Sequence, residues 1–384
     1  MPDTTAVELR IEKLVAGGDG LAFLDGKAVF VPLALPGEIV LASIRSGKRD
    51  YAQAELVEIL EPSRYRVEPP CPVYGECGGC NLQHLSYSRQ VQEKVLIVAE
   101  AFARTGRVGP VEIAVVPSLP FAYRNRMQLH FTKDKRIGFM KRSSSDVIEV
   151  PSCMVALRPI QDWIEAREGT KRAYAELESY VLGKDRFLVF GYGGELWIEG
   201  QKGLVEVTVA GQSIRFHIRD FFQSNLYLLD YFVPDAVSGL SGGRAADLYC
   251  GVGLFGRFLA SSFQNLVYVE QNPHALELAK ANAIGKGHEF FCLPVEDWVR
   301  GDSAKKPFDL VLLDPPRTGL AAPVREWLIA AKAPTIVYLS CDPVTLARDA
   351  GELIRAGYRL QSLKAFDFYP QTSHVECNAR FVLR

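Results

Sequence analysis

A cysteine in the stretch Ser340-Cys341-Asp342-Pro343 stands between an apolar run, 334–339, and a segment from Val344 onward with helical spacing. The run predicts a buried strand. Cys341 then falls where a parallel strand gives way to a helix, the edge at which open α/β sheets bind their ligands. A helix N-terminus just beyond it would favour the thiolate, the reactive form of cysteine. A half-buried structural cysteine is the plainer reading of the same residue, and the rest of the chain has to decide between them.

A second group is Cys71-Pro72-Val73-Tyr74-Gly75-Glu76-Cys77-Gly78-Gly79-Cys80. Three thiols close together, with glycines that let the backbone fold tightly, suit a metal or iron–sulfur loop. A fourth ligand is required, and Cys153 is the candidate, set in Val150-Pro151-Ser152-Cys153. Thiolate-only ligation fits either zinc or an iron–sulfur cluster, and spacing does not choose between them.

A third group lies in the C-terminal half. Ala245 to Gly256 reads as a strand, a turn carrying Gly251 and Gly253, and the start of a helix. The strand after it ends in Glu270, at the spacing where a Rossmann-type site holds a ribose diol. The third dinucleotide glycine has no clean match, which favours S-adenosylmethionine over a nicotinamide cofactor. No Gly-Lys-Ser/Thr occurs, so a phosphate-binding P-loop is excluded. A further buried strand ends in Asp314-Pro315-Pro316-Arg317. Amino-group methyltransferases place an aromatic after Asp-Pro-Pro, and Arg317 at that position argues against methylation of an exocyclic nitrogen. Glu376 begins the final strand region and can return beside Cys341; a surface glutamate is the ordinary alternative.

The elements that must position these groups follow from periodicity. Runs at 7–15, 27–32, 38–44 and 51–60, separated by glycine turns, predict a small OB-like β-barrel. Arg89 to Arg104 predicts an amphipathic helix with Val91, Val95, Val98 and Phe102 on its buried face. Residues 121–142 carry Arg124, Arg126, Lys133, Lys135, Arg136, Lys141 and Arg142 among Phe121, Tyr123, Phe131 and Phe139. That mixture suits phosphate contact and base stacking, and it equally suits a hairpin with a solvated face. Residues 158–183 read as helical and 186–217 as strands. From the helix at 226–237 onward, strands and helices alternate, which predicts a doubly wound parallel sheet. The expected division is an OB-like barrel over 1–62, a central α+β unit over 63–220, and a Rossmann-like α/β unit over 221–384.

The chain has 384 residues, 48% hydrophobic and 23% charged, which predicts a globular protein of two or three domains. No apolar run reaches the roughly 18 residues of a membrane span, and the N-terminus lacks a signal-peptide pattern. Eight cysteines in such a chain point to reduced thiols, metal ligands or catalysis, and the cytoplasm is the expected location. With a net charge of −1, any nucleic-acid binding must rest on local basic patches.

Taken together, these residues resemble the bacterial RNA 5-methyluridine methyltransferases, most closely the branch that acts on 23S ribosomal RNA and carries an iron–sulfur cluster. The matching pieces are the four cysteines, Phe222-Gln223-Ser224-Asn225, the 247–253 loop, Asp314-Pro315-Pro316-Arg317, Ser340-Cys341-Asp342-Pro343 and His374-Val375-Glu376. They occur in the family's order across nearly the whole chain. The resemblance implies a TRAM-type barrel at the N-terminus and a 4Fe–4S cluster on Cys71, Cys77, Cys80 and Cys153. It implies an S-adenosylmethionine site at Gln223, Tyr249, Glu270 and Asp314. It also makes Cys341 the nucleophile toward carbon 6 of uracil and Glu376 the base. RNA is the implied partner, with no membrane and no protein partner, and a monomer is expected. Leu254, Tyr369 and Cys377 depart from the family's usual Asn, Phe and Thr. A transfer-RNA methyltransferase with the same chemistry, and an inactive RNA-binding iron–sulfur module, are the alternatives.

Overall fold

Glycine turns at Gly17, Gly18, Gly26 and Gly37, all with positive φ, break the N-terminal part into short strands. The computed structural model describes residues 6–181, 185–201 and 203–384. The strands Ala6–Arg10, Ile39–Gly47, Tyr51–Glu61, Lys27–Val31, Gly20–Leu24 and Lys13–Leu14 lie side by side in that order. All pairs are antiparallel except Lys27–Val31 with Tyr51–Glu61. Their inward residues, among them Leu9, Val29, Val31, Val40 and Ala42, form one small core. The predicted strand over 7–15 is thus two strands, and Gly20–Leu24 is a strand that the expectation omitted. Glu38 is buried at the barrel's foot, where its carboxylate accepts from Arg66 Nη2 (2.7 Å), Leu35 N (2.8 Å) and Ser63 N (3.1 Å). That ties the barrel to the segment leading into the cysteine loop.

The central sheet runs Val147–Glu149, Ile137–Met140, Arg126–Phe131, Arg186–Tyr192, Glu195–Ile198, each pair antiparallel. Two helices, Arg158–Glu165 and Arg172–Val181, cover its Met127, Leu129, Phe131, Phe187 and Val189. The helical expectation over 158–183 therefore becomes two helices, and its last residues lie outside the described ones.

The C-terminal sheet has eight strands: Glu289–Phe291, Phe263–Val269, Gly242–Leu248, Leu310–Leu313, Thr335–Ser340, Glu376–Leu383, Tyr358–Phe366 and Ala114–Val116. Side chains alternate between two cores. Ala245, Leu266, Leu312 and Leu339 face one, while Ala246, Val267, Val311 and Tyr338 face the other. Such strands are buried on both faces, as helix-covered parallel sheets are. The sheet is not wholly parallel, however. Glu376–Leu383 is antiparallel to both neighbours, because the strand before it in the chain, Tyr358–Phe366, lies beyond it and the chain turns straight back.

Packing crosses the expected boundary at 220/221. The hairpin Leu204–Val209 and Gln212–His217 contributes Val205, Val207, Ile214 and Phe216 to the C-terminal core. The helix Tyr87–Ala101 and the strand Ala114–Val116 also attach to the C-terminal sheet. Of the face expected from periodicity, Val98 and Phe102 are buried in the core, but Val91 and Val95 are only half-buried, and Gln90, Glu93, Lys94, Ile97 and Ala101 take the inner side of the helix. Polar groups sit on the inner face because a loop at 367–375 meets them there. Lys94 pairs with Asp367 and donates to the Tyr369 carbonyl at 2.9 Å. Gln90 and Gln371 exchange two bonds of 2.9 Å. Burial lowers the Lys94 pKa, and the Asp367 charge acts against that shift. Among the described residues no helix is long and apolar enough to cross a membrane.

Lys94→Met leaves the Asp367 carboxylate buried without its cation and should cost about 3–5 kcal/mol in urea unfolding. Adding Asp367→Asn removes the second charge and should return much of that loss. A single variant that melts like the parent would show that the pair contributes nothing to stability.

Candidate active site

The strand Gly242–Leu248 ends in a turn with Tyr249, Gly251 and Gly253 all at positive φ. At Gly253 a side chain would also be strained against Ala279, 3.0 Å from an added Cβ. Asp247 is buried at the end of the strand and accepts from Gly256 N at 2.8 Å. Glu270 follows the next strand, and its carboxylate accepts from Gly251 N (3.0 Å) and Asn272 N (2.8 Å). The acid therefore holds the glycine turn from behind.

Gln223, Tyr249 and Asp314 line one pocket with Phe221, Phe222 and Gly251. Three of the four residues expected at the cofactor site thus share a pocket, and Glu270 touches its floor through Gly251. Gln223 is buried in the wall of this pocket with its Oε1 lacking a partner, an unmet acceptor. Its segment is fixed on both sides. Asn225 caps the helix Leu226–Val237 and donates to Ser118 Oγ (2.9 Å) and the Phe368 carbonyl (3.1 Å), while Asn125 accepts from Leu226 N (2.9 Å).

The Asp314 loop is clamped onto the helix Pro343–Arg355. Thr345 Oγ1 donates to the Arg317 carbonyl (3.1 Å), Arg348 to the Leu320 carbonyl (3.1 Å), and Leu320 N to Asp349 (3.0 Å). Gly319 turns there at φ +71° with Arg348, Asp349 and Thr345 packed where a Cβ would stand. On the other side of this helix end lies Cys341. The register pairs Ser340 with Cys377, so the next residues along, Cys341 and Glu376, face one another at the mouth of the sheet. Arg317 lies near this pair, and its positive charge acts on both Cys341 and Glu376.

Asp314, which lines the pocket, interacts by charge with three further acidic groups, Asp247, Glu376 and the Cys341 thiol. Burial pushes Asp314 up to about 7 and Asp247 up to about 7. Glu376 is buried and held well above the usual carboxylate range by burial and by Asp314. Cys341 is pushed up to about 11 by burial, then by Glu376 and Asp314, with Arg317 opposing. The expected thiolate stabilisation by the helix end is absent because Asp342 already occupies it, accepting from Val344 N (2.9 Å) and Thr345 N (2.8 Å). A cationic ligand among these acids would relieve them all, which suits a sulfonium.

The remaining candidates fall in a second place. Cys71, Cys77, Cys80 and Cys153 line one cavity of about 160 Å³ together with Gln83, Arg124 and Phe139. Burial, then the neighbouring thiols, push Cys153 up to about 12; Cys80 is likewise raised to about 11 by burial. Among the described residues no three His, Cys, Asp or Glu side chains are arranged to hold a metal ion. The thiols ring a space and do not converge on a point.

Comparison with known proteins agrees with this architecture. The tRNA (uracil-5-)-methyltransferase family model matches residues 299–382, the methyltransferase small domain 226–333, and the TRAM domain 5–57. The chain is 33% identical to the 23S rRNA (uracil(1939)-C(5))-methyltransferase RlmD of Shewanella amazonensis, covering 98% of this chain and 96% of that one. The chain belongs to the RNA uracil-5-methyltransferase family. An uncharacterized RNA methyltransferase of Bdellovibrio bacteriovorus is 34% identical over 96% of this chain and 93% of its own length. The tRNA (uracil-54, C5)-methyltransferase of Pyrococcus abyssi, solved with S-adenosyl-L-homocysteine, superposes with a TM-score of 0.73. It is 24% identical and covers 98% of this chain and 100% of that one, so it shows the shared fold. The N-terminal barrel is a TRAM domain and the C-terminal unit an S-adenosylmethionine methyltransferase fold.

Three groups that the fold brings to this mouth were named in the sequence but given no role there. Arg317 was read only as a missing aromatic, although its place after Asp-Pro-Pro was a signal. Tyr369, raised to about 12 by burial with Glu376 and Cys341 adding to it, and His374, lowered to about 4 by burial and by Arg317, flank Glu376. No spacing rule marks either.

Alkylation of Cys341, followed by peptide mass spectrometry, should accelerate about tenfold per pH unit until about pH 11 in the free protein. The sign follows from the thiol: only its deprotonated form reacts, so a raised pKa delays reaction to higher pH. A cationic donor analogue, or Asp314→Asn, should move the midpoint down by about one unit or more. A midpoint near 8.5 in the free protein would contradict the burial argument.

Proposed function

We propose that this chain transfers a methyl group from S-adenosylmethionine to carbon 5 of a uridine in 23S ribosomal RNA, through a covalent adduct on Cys341. The observation that carries the chemistry is the antiparallel register that sets Cys341 opposite Glu376 beside Asp314. The choice of RNA is supported by the full-length likeness to 23S rRNA enzymes.

Carbon 5 of uracil is too weak a nucleophile to attack a sulfonium unaided. Cys341, once deprotonated, adds to carbon 6, and the displaced ring electrons make carbon 5 an enolate carbon. Arg317 beside the sulfur favours the thiolate. Gln223, Tyr249, Glu270 and Asp314 hold the methyl donor, and carbon 5 takes its methyl group, leaving S-adenosylhomocysteine. Carbon 5 then bears both a proton and a methyl group. Glu376, as the carboxylate, takes that proton; the electrons rebuild the 5,6 double bond and expel the Cys341 thiolate. Its high resting pKa makes it a strong acceptor, and Arg317 and the incoming sulfonium bring it to the charged form. The target base must leave its stack to reach this pocket.

The four-cysteine cavity is read as the site of a 4Fe–4S cluster. Its all-sulfur donor set fits, and thiols spaced around a cavity suit a group of several atoms better than one zinc ion. When bound, the cluster would supply fixed charge and structure, and no step of the methyl transfer is routed through it. The three-part division is kept with one change: residues 87–116 and 203–220 go with the methyltransferase unit, into which they pack. A monomer acting on RNA in the cytoplasm is the setting this reading calls for.

Glu376→Gln should accumulate a methylated protein–RNA adduct seen as a retarded band on denaturing gels, and normal turnover would remove Glu376 from the mechanism. Cys341→Ala should give neither product nor an adduct with 5-fluorouridine RNA. Deleting the gene should erase one or more 5-methyluridines from 23S ribosomal RNA; loss from transfer RNA alone would reassign the substrate.

A further inference from the structure

The basic segment at 121–142 leaves one residue in an unusual position. Arg124 lines the cavity that the four cysteines share. Its guanidinium also stands over the Tyr369 ring, 6.0 Å from the centroid, within cation–π range. Its backbone is clamped to the chain just after Cys153: Arg124 N donates to the Val155 carbonyl and Leu157 N to the Arg124 carbonyl, both at 2.9 Å. Its side chain donates to the Arg126 carbonyl at 3.3 Å, and among the described residues it forms no ion pair with a carboxylate. A half-buried cation without an acidic partner calls for some other negative charge. The thiols of Cys77 and Cys80 are within its field, as are Tyr369 and His374 on the opposite side.

Tyr369 belongs to the loop that ends in Glu376. Its carbonyl is held by Lys94, its ring makes an edge contact with His374 at 6.0 Å, and its neighbours include Glu376 and Cys341. One guanidinium thus reaches both the cysteine cavity and the loop that leads to Glu376, two places that Asn81, next to Cys80, also joins through Ser373 N (2.9 Å) and the Gln371 carbonyl (3.0 Å).

We propose that Arg124 is a positioning residue that couples the four-cysteine site to the catalytic pocket. It balances the anionic sulfur cage on one side and holds the Tyr369 ring beside Cys341 and Glu376 on the other. The proposal rests on the cluster reading given above. It makes the cluster an electrostatic anchor for the catalytic loop, with no electron transfer involved. A substrate phosphate is the competing partner for the same cation.

The test uses the full-length protein purified without oxygen, as parent, Arg124→Gln and Arg124→Lys. Iron and acid-labile sulfide are measured first; a parent containing neither overturns the cluster reading and this proposal with it. With the cluster present, Arg124→Gln should bleach in air about tenfold faster and lose about tenfold in kcat. Its KM for an RNA fragment should stay within about twofold, because uniform binding is untouched. Arg124→Lys keeps the charge and should recover most of both losses. If Arg124→Gln instead raised KM with bleaching and kcat unchanged, Arg124 would be a phosphate contact and the coupling would be refuted. Unchanged bleaching with reduced kcat, at intact iron content, would refute it equally.

Discussion

Insertion of the last strand, Glu376–Leu383, between Thr335–Ser340 and Tyr358–Phe366 is the constraint on which the site depends. A side chain in a sheet has only two possible faces, and a slip of one residue reverses them. The pairing of Ser340 with Cys377 therefore decides that a glutamate, and not its neighbour, meets Cys341. The loops on the cofactor side then need only bring Asp314 and Gln223 to the same mouth, which the clamp on the helix Pro343–Arg355 and the cap at Asn225 accomplish.

The loop at 367–375 is the second support, and it is polar where most of the interior is not. It is held by Lys94 and Gln90 from one helix, by Asn81 through Ser373 N, and by Tyr123 through the Pro370 carbonyl. Asn81 directly follows Cys80 and also donates to the Gly17 carbonyl of the barrel. A few hydrogen-bonded polar groups thus bring the TRAM domain, the cysteine loop and the loop before the strand Glu376–Leu383 into one framework. Buried polar contacts of this kind are costly when broken, and so they specify a single arrangement.

Much of this was legible beforehand. The alternation of strands and helices after 226 identified the Rossmann-like unit, and the spacing of Cys71, Cys77, Cys80 and Cys153 anticipated their shared cavity. The strand before Cys341 and the helix after it lie within a residue of expectation. What periodicity could not show was the antiparallel strand, since reversal of direction leaves the apolar pattern unchanged. The buried face of the helix Tyr87–Ala101 was read only in part, Val98 and Phe102 being buried as expected: hydrophobicity marks valines, while Gln90 and Lys94 are buried because partners distant in sequence meet them. The thiol's environment was also misjudged, because Asp342 takes the helix-end donors for itself.

The strand that completes the sheet is the final one in the chain. Domains emerge and fold from the N-terminus during synthesis. Until these closing residues are free, Thr335–Ser340 and Tyr358–Phe366 each present an open edge with nothing between them. The nascent protein can thus hold a finished barrel and a formed cysteine loop while Cys341 and Glu376 do not yet face one another. The site is assembled in one step when Glu376–Leu383 pairs, and without that strand both neighbours keep an adhesive edge.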